Sequence, residues 1–136
     1  MILKSLFLLI ACVTVHAQQT TVKQVPPKPT TSVAGKDLFQ QYCAVCHGPD
    51  GKGNGPAAPA LKNHPTDLTQ ISRNNGGKFP EDRIMQILKG EASVTAHGNQ
   101  AMPVWGKVFS NMSTNLVVTQ SRMHGLVQFI ADLQAK

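Results

Sequence analysis

Cysteine is scarce in this chain: three in 136 residues. A closed zinc centre takes four ligands, and beyond Cys43 and Cys46 the only further thiol is Cys12, inside an apolar leader. A thioredoxin-like thiol pair follows a strand in a βαβ setting, and the flanks of Cys43 carry no such pattern. Aromatics other than phenylalanine are limited to Tyr42 and Trp105, and the lysines are scattered. With neither a basic stripe nor interleaved stacking rings, nucleic acid is a poor candidate partner. No apolar run is long enough to span a bilayer as a helix. Charged residues are few, and 11 glycines and 9 prolines point to a compact, loop-rich fold. The length suits one domain with a modest apolar core of its own.

What is present centres on Cys43-Ala44-Val45-Cys46-His47. On a helix, positions i, i+3 and i+4 share a face, so both sulfurs and the imidazole point the same way. Two thiols so placed can each add across a vinyl group of haem, forming thioethers, while His47 reaches the iron as proximal ligand. The expected cofactor is therefore one covalent haem c with its iron.

Residues 1–17 read as an export signal. Lys4 supplies the charged start, Ser5 to Val13 the apolar stretch, and Val15-His16-Ala17 a small-x-small cleavage site. Leu9-Ile10-Ala11-Cys12 also resembles a lipobox, which would instead make Cys12 a lipidated terminus and a membrane tether. Either route exports the protein, and a periplasmic location is expected. Residues 18–31, with Pro26-Pro27-Lys28-Pro29 among threonines and glutamines, are expected to form an extended linker. That run reads as a plain spacer, with a docking motif as the rival. The domain proper is expected over 32–136. Without Lys4 the formal charge of +6 drops to about +5, which favours redox partners with acidic docking surfaces.

From Val33 to Cys46, the residues Val33, Leu38, Phe39, Tyr42, Cys43 and Cys46 fit one helical face, with Ser32 as N-cap. Gly35 is costly in a helix unless another helix crosses it closely. Gly48 to Gly55 reads as a turn beside the haem edge, since it lacks both a preceding strand and the ending of a phosphate loop. Pro80 to Gly90 predicts a short helix with Ile84, Ile87 and Leu88 as its apolar stripe, and Met85 as core filler. Val117 to Leu133 predicts a core helix carrying Val118, Met123, Leu126, Val127, Phe129, Ile130 and Leu133. His124 is expected at the surface. Met102-Pro103 presents a soft thioether from extended, loop-like backbone, which makes Met102 the candidate distal ligand, with His97 as its rival.

Gly35-x-x-x-Phe39 ahead of Cys43-x-x-Cys46-His47, then Pro59-x-Leu61 and Met102-Pro103, resemble the class I monohaem cytochromes c, including haem domains attached to terminal oxidases. The resemblance spans about 33–133. It implies an all-α cytochrome c fold of three to five short helices around one haem, with Gly35 and Phe39 against the C-terminal helix and Phe129 as their partner. It further implies that the Pro59 carbonyl accepts from the far nitrogen of His47, that Leu61 packs on the ring, and that Trp105 lies near the propionates. The loop over 63–79 follows no family pattern. The implied work is one-electron transfer by a non-enzymatic carrier in a respiratory or dehydrogenase chain. The alternatives are a haem enzyme or gas sensor with an open axial site, and a haem subunit of a larger oxidoreductase.

Overall fold

The computed structural model describes residues 25–92 and 102–134. The export signal, Cys12 and His97 lie outside the described residues. Within them the chain is all helix, turn and loop, with no strand, in agreement with the expected all-α fold. Helix α1 covers residues 35–47 in three continuous pieces: α-helical Gly35–Leu38, π-helical Phe39–Cys43 and α-helical Ala44–His47. It is followed by α2 (Ile71–Asn74), α3 (Glu81–Lys89), α4 (Trp105–Met112) and α5 (Leu116–Asp132). Short 3-10 turns occupy Ala58–Ala60 and Leu68–Gln70.

The crossing of α1 with α5 sets the core. A Cβ on Gly35 would overlap the Gly125 carbonyl, and one on Gly125 would stand 2.7 Å from the Val33 carbonyl. Two backbones meet there, which only residues without side chains permit. One turn on, the rings of Phe39 and Phe129 lie 5.0 Å apart. Leu38, Met123, Leu126, Val127 and Ile130 are buried around them. The crossing helix that Gly35 called for is α5, and Gly125 is its counterpart.

Helix α3 ends as its sequence dictates. Gly90 adopts the left-handed conformation at φ 80°, and its amide and that of Glu91 return to the carbonyls of Ile87 and Gln86. Helix α5 starts one residue before the expected Val117, where the Asn115 side chain accepts from the Val117 amide at 2.9 Å. His124 is exposed, as expected. Helix α4 was not anticipated. Trp105, Val108, Phe109 and Met112 follow the i, i+3, i+4, i+7 spacing of a buried face, and all four pack into the core.

One expectation at the N-terminal edge needs correcting. The N-cap of α1 is Ala34, not Ser32. Ser32 acts from two residues upstream, its Oγ accepting from the Ala34 amide (3.1 Å) and donating to Asp37 Oδ2 (2.9 Å). The segment expected to be linker through Thr31 is also fastened to the domain from Lys28 onward. The Lys28 carbonyl accepts from Tyr42 Oη at 2.5 Å, and Arg122 donates to the carbonyls of Thr30 and Ser32. Prolines keep this stretch extended, so its carbonyls find no partners within it and take them from the domain.

The α1–α5 contact has a direct test. Gly35→Ala should destabilise the haem-loaded protein by roughly 1–3 kcal/mol, the usual cost of overpacking. Guanidinium unfolding followed by far-UV circular dichroism checks this; an unchanged midpoint would mean that the crossing is looser than described.

Candidate functional site

The end of α1 that carries Cys43, Cys46 and His47 is held by the loop that follows it. A helix C-terminus leaves its last carbonyls without intrahelical partners. Here the amide of Gly53 donates to the His47 carbonyl (2.7 Å), Gly55 to Cys46 (3.1 Å) and Ala57 to Val45 (2.9 Å). Reaching those carbonyls requires a tight reversal, which Gly48 begins at φ 77°. The glycine-rich stretch is thus a cap for the C-x-x-C-H segment.

The same loop positions the next one. The Leu68 amide donates to the Gly51 carbonyl at 2.7 Å, and Asp67 caps the following turn through the Thr69 amide at 2.9 Å. This brings the Thr66 carbonyl to 3.1 Å from Nδ1 of His47. The resemblance implied the Pro59 carbonyl for that role. Pro59 is exposed on its 3-10 turn and Leu61 is half-buried, with neither on the cavity wall described below. The tether between Gly51 and Leu68 draws the 66–68 stretch toward the imidazole. A carbonyl at Nδ1 favours a proton there and fixes the plane of the ring, as it does for an imidazole that binds a metal. His47 is only 7% exposed.

Cys43, His47 and Met102 all line one cavity of about 430 Å³. Its walls are mostly apolar: Phe39 from α1, Leu68 and Ile71 from the loop and α2, Ile84, Ile87 and Leu88 from α3, and Ile130 from α5. Asn74, Asn75 and Arg83 supply its polar part. Cys46 is half-buried one helical turn from Cys43. Trp105, expected near the propionates, is buried in an aromatic trio, 5.6 Å from Tyr42 and 5.7 Å from Phe109 between ring centres. The walls from Thr66 to Asn75 come from the loop that matched no pattern. Asp67-x-Thr69 was the readable signal, since an Asp two residues before such an amide marks a capped turn.

Burial favours the neutral form of both thiols. Burial pushes the Cys43 thiol up to about 12, with the neighbouring Cys46 adding to the rise, and burial raises Cys46 as well. Among the described residues no group of three or more His, Cys, Asp or Glu side chains gathers to hold a bare metal ion. An apolar slot with an imidazole, a thioether and thiols on or beside its walls fits a large flat macrocycle.

Residues 31–119 match the family model described as cytochrome C oxidase, cbb3-type, subunit III. The chain belongs to that family: it is a monohaem cytochrome c-like protein with covalently bound haem c and its iron, working in haem-based electron transfer with redox partners in an oxidase-type chain. Domains of this type are typically exported. Among the described residues no helix is long and apolar enough to cross a membrane. No curated protein and no solved structure matches the chain.

Tyr42, beside Cys43, sets a pH dependence. Burial raises its phenol above the ordinary 10.0, and the Arg122 charge offsets part of the rise. The folded protein then holds this proton longer than the unfolded chain does. The stability it contributes is complete below about pH 10 and is lost as pH climbs through the raised value. In guanidinium unfolding of the haem-loaded protein, the midpoint should fall more steeply above pH 10 for the wild type than for Tyr42→Phe.

Proposed function

We propose that the protein is a one-electron carrier whose haem c is attached through Cys43 and Cys46 and ligated by His47 and Met102. The observation that carries this reading is the presence of His47 and Met102 on one cavity, with Cys43 beside them. When bound, haem c supplies a one-electron centre whose iron passes between ferrous and ferric. The chain does the rest. The two cysteines fix the ring edge, and the capped end of α1 holds His47 with the Thr66 carbonyl orienting its ring. The apolar walls exclude water, and a filled pair of axial positions leaves no vacancy for substrate. A thioether opposite imidazole raises the potential relative to two nitrogen ligands, which suits the oxidising end of a respiratory chain.

Export to the periplasm, with cleavage after Ala17 rather than lipidation at Cys12, completes the proposal. Lys52, Lys62, Lys78 and Lys107 are exposed, and they would steer an acidic partner. The family's description also favours a second reading, in which the chain works as a haem subunit of a larger oxidase. The two differ in whether the protein diffuses or stays in a complex.

Met102→Ala is the deciding variant. The ferric charge-transfer band between thioether and iron should vanish, carbon monoxide should bind readily to the ferrous protein, and the potential should fall. His97→Ala should change none of these. Rapid carbon monoxide binding by the wild type, or opening by His97→Ala instead, would favour the enzyme or sensor alternative.

Docking has its own measurement. Bimolecular electron transfer with an acidic redox protein should slow as ionic strength rises, because exposed charges are screened beyond about 10 Å at 0.1 M salt. A rate indifferent to salt would remove the lysines from the docking surface.

A further inference from the structure

We propose that residues 28–32 are a strap of the haem-bearing domain, and that Arg122 and Tyr42 use it to hold the Met102 segment in place. This rests on Met102 being the distal ligand.

Arg122 lies in the middle of α5 and is 3% exposed. Among the described residues no carboxylate pairs with it. Its Nε donates to the Ser32 carbonyl at 3.2 Å and its Nη2 to the Thr30 carbonyl at 2.6 Å, while Nη1 is buried with no hydrogen-bond partner. The guanidinium carbon stands 5.9 Å from the centre of the Phe109 ring. A buried charge is tolerated only where fixed dipoles replace the water it gave up. Here both dipoles come from a strap with no regular secondary structure. Undocking the strap would therefore leave the guanidinium short of partners, and the strap in turn has Arg122 as its main anchor.

Tyr42 is the second anchor. Its hydroxyl donates to the Lys28 carbonyl at 2.5 Å, and Gln41 Nε2 reaches the same oxygen at 3.2 Å. The Tyr42 ring lies 5.6 Å from Trp105 and 5.8 Å from Phe109. Trp105 opens α4 three residues after Met102, and Tyr42 immediately precedes Cys43. The aromatic trio thus joins the attachment helix to the segment bearing the thioether, and the strap pins two of its members. Arg122 and Tyr42 are positioning residues: each acts on Met102 through Trp105 and neither belongs to the cavity wall.

The test uses the haem-loaded protein with Arg122→Met, Arg122→Lys and Tyr42→Phe. It reads amide hydrogen exchange over residues 30–34 and the rate of carbon monoxide binding to the ferrous state. Arg122→Met should speed both roughly tenfold or more, as expected for a locally released segment. Arg122→Lys retains a donor for the Thr30 carbonyl and should fall between. Tyr42→Phe keeps the core volume and should shift both rates in the same direction by a smaller factor, and it decides the matter if Arg122→Met does not fold. A folded variant with faster exchange but wild-type carbon monoxide binding would make the strap merely structural and overturn the proposal. Slow wild-type binding that no variant changes overturns this proposal alone. Rapid wild-type binding removes Met102 as a ligand and the positioning role with it.

Discussion

The backbone contact between Gly35 and Gly125 is the constraint from which the rest of the domain follows. It brings α1 onto α5 at a distance that no side chain permits, and so fixes where α1 points. The π-helical turn at Phe39–Cys43 then matters. One extra residue in a turn rotates everything after it by about 100° relative to a continuous α-helix. Gly35 belongs to the helix crossing, Phe39 touches both Phe129 of α5 and the cavity, and Cys43 and His47 line the cavity. One short helix serves both the crossing and the cavity. At its far end, the glycine loop satisfies the carbonyls of Val45, Cys46 and His47, so the chemically active turn does not fray.

Much of this was legible in the chain because the relevant signals are local. The C-x-x-C-H spacing needs only helical geometry, and the apolar stripes of α3 and α5 need only their period. Even the helix crossing was readable, since a glycine in a helix demands a physical reason. The π turn left no such mark, because Phe39-Gln40-Gln41-Tyr42-Cys43 is equally compatible with an ordinary α-helix. Helix α4 carried its period plainly in Trp105, Val108, Phe109 and Met112, but the neighbouring Met102-Pro103 drew it into the reading of a loop.

What the chain did not announce was long-range. Thr66 stands at His47 because Leu68 bonds to Gly51, a pairing 17 positions apart that no local pattern announces. Trp105 is near the ligand segment in sequence, yet it turns to Tyr42 and Phe109, where its large ring is buried. The hydrogen bonds of the stretch before the domain were hidden for a similar reason. Proline-rich composition describes what Lys28 to Thr31 can do alone, and it says nothing of a buried arginine 90 positions away that needs carbonyl partners.

The cavity itself constrains what kind of protein this can be. Deleting buried volume costs about 24 cal/mol per Å³ of residual hole. A dry, closed hole of 430 Å³ would on that scale cost about 10 kcal/mol, within the whole net stability of roughly 5–15 kcal/mol typical of a domain. The opening of the cavity to solvent lowers that figure, but its largely apolar walls would then meet water. Either way, a short chain with few aromatics does not hold such a space at no cost. A covalent haem seated in this cavity would be a part of the core as well as the redox centre, with walls from α1, α3 and α5 around it. A thioether bond makes that contribution permanent, which a cofactor held only by its axial ligands would not do. The same arrangement explains why the walls are drawn from so many elements: each contributes apolar surface that it could not bury against another helix alone.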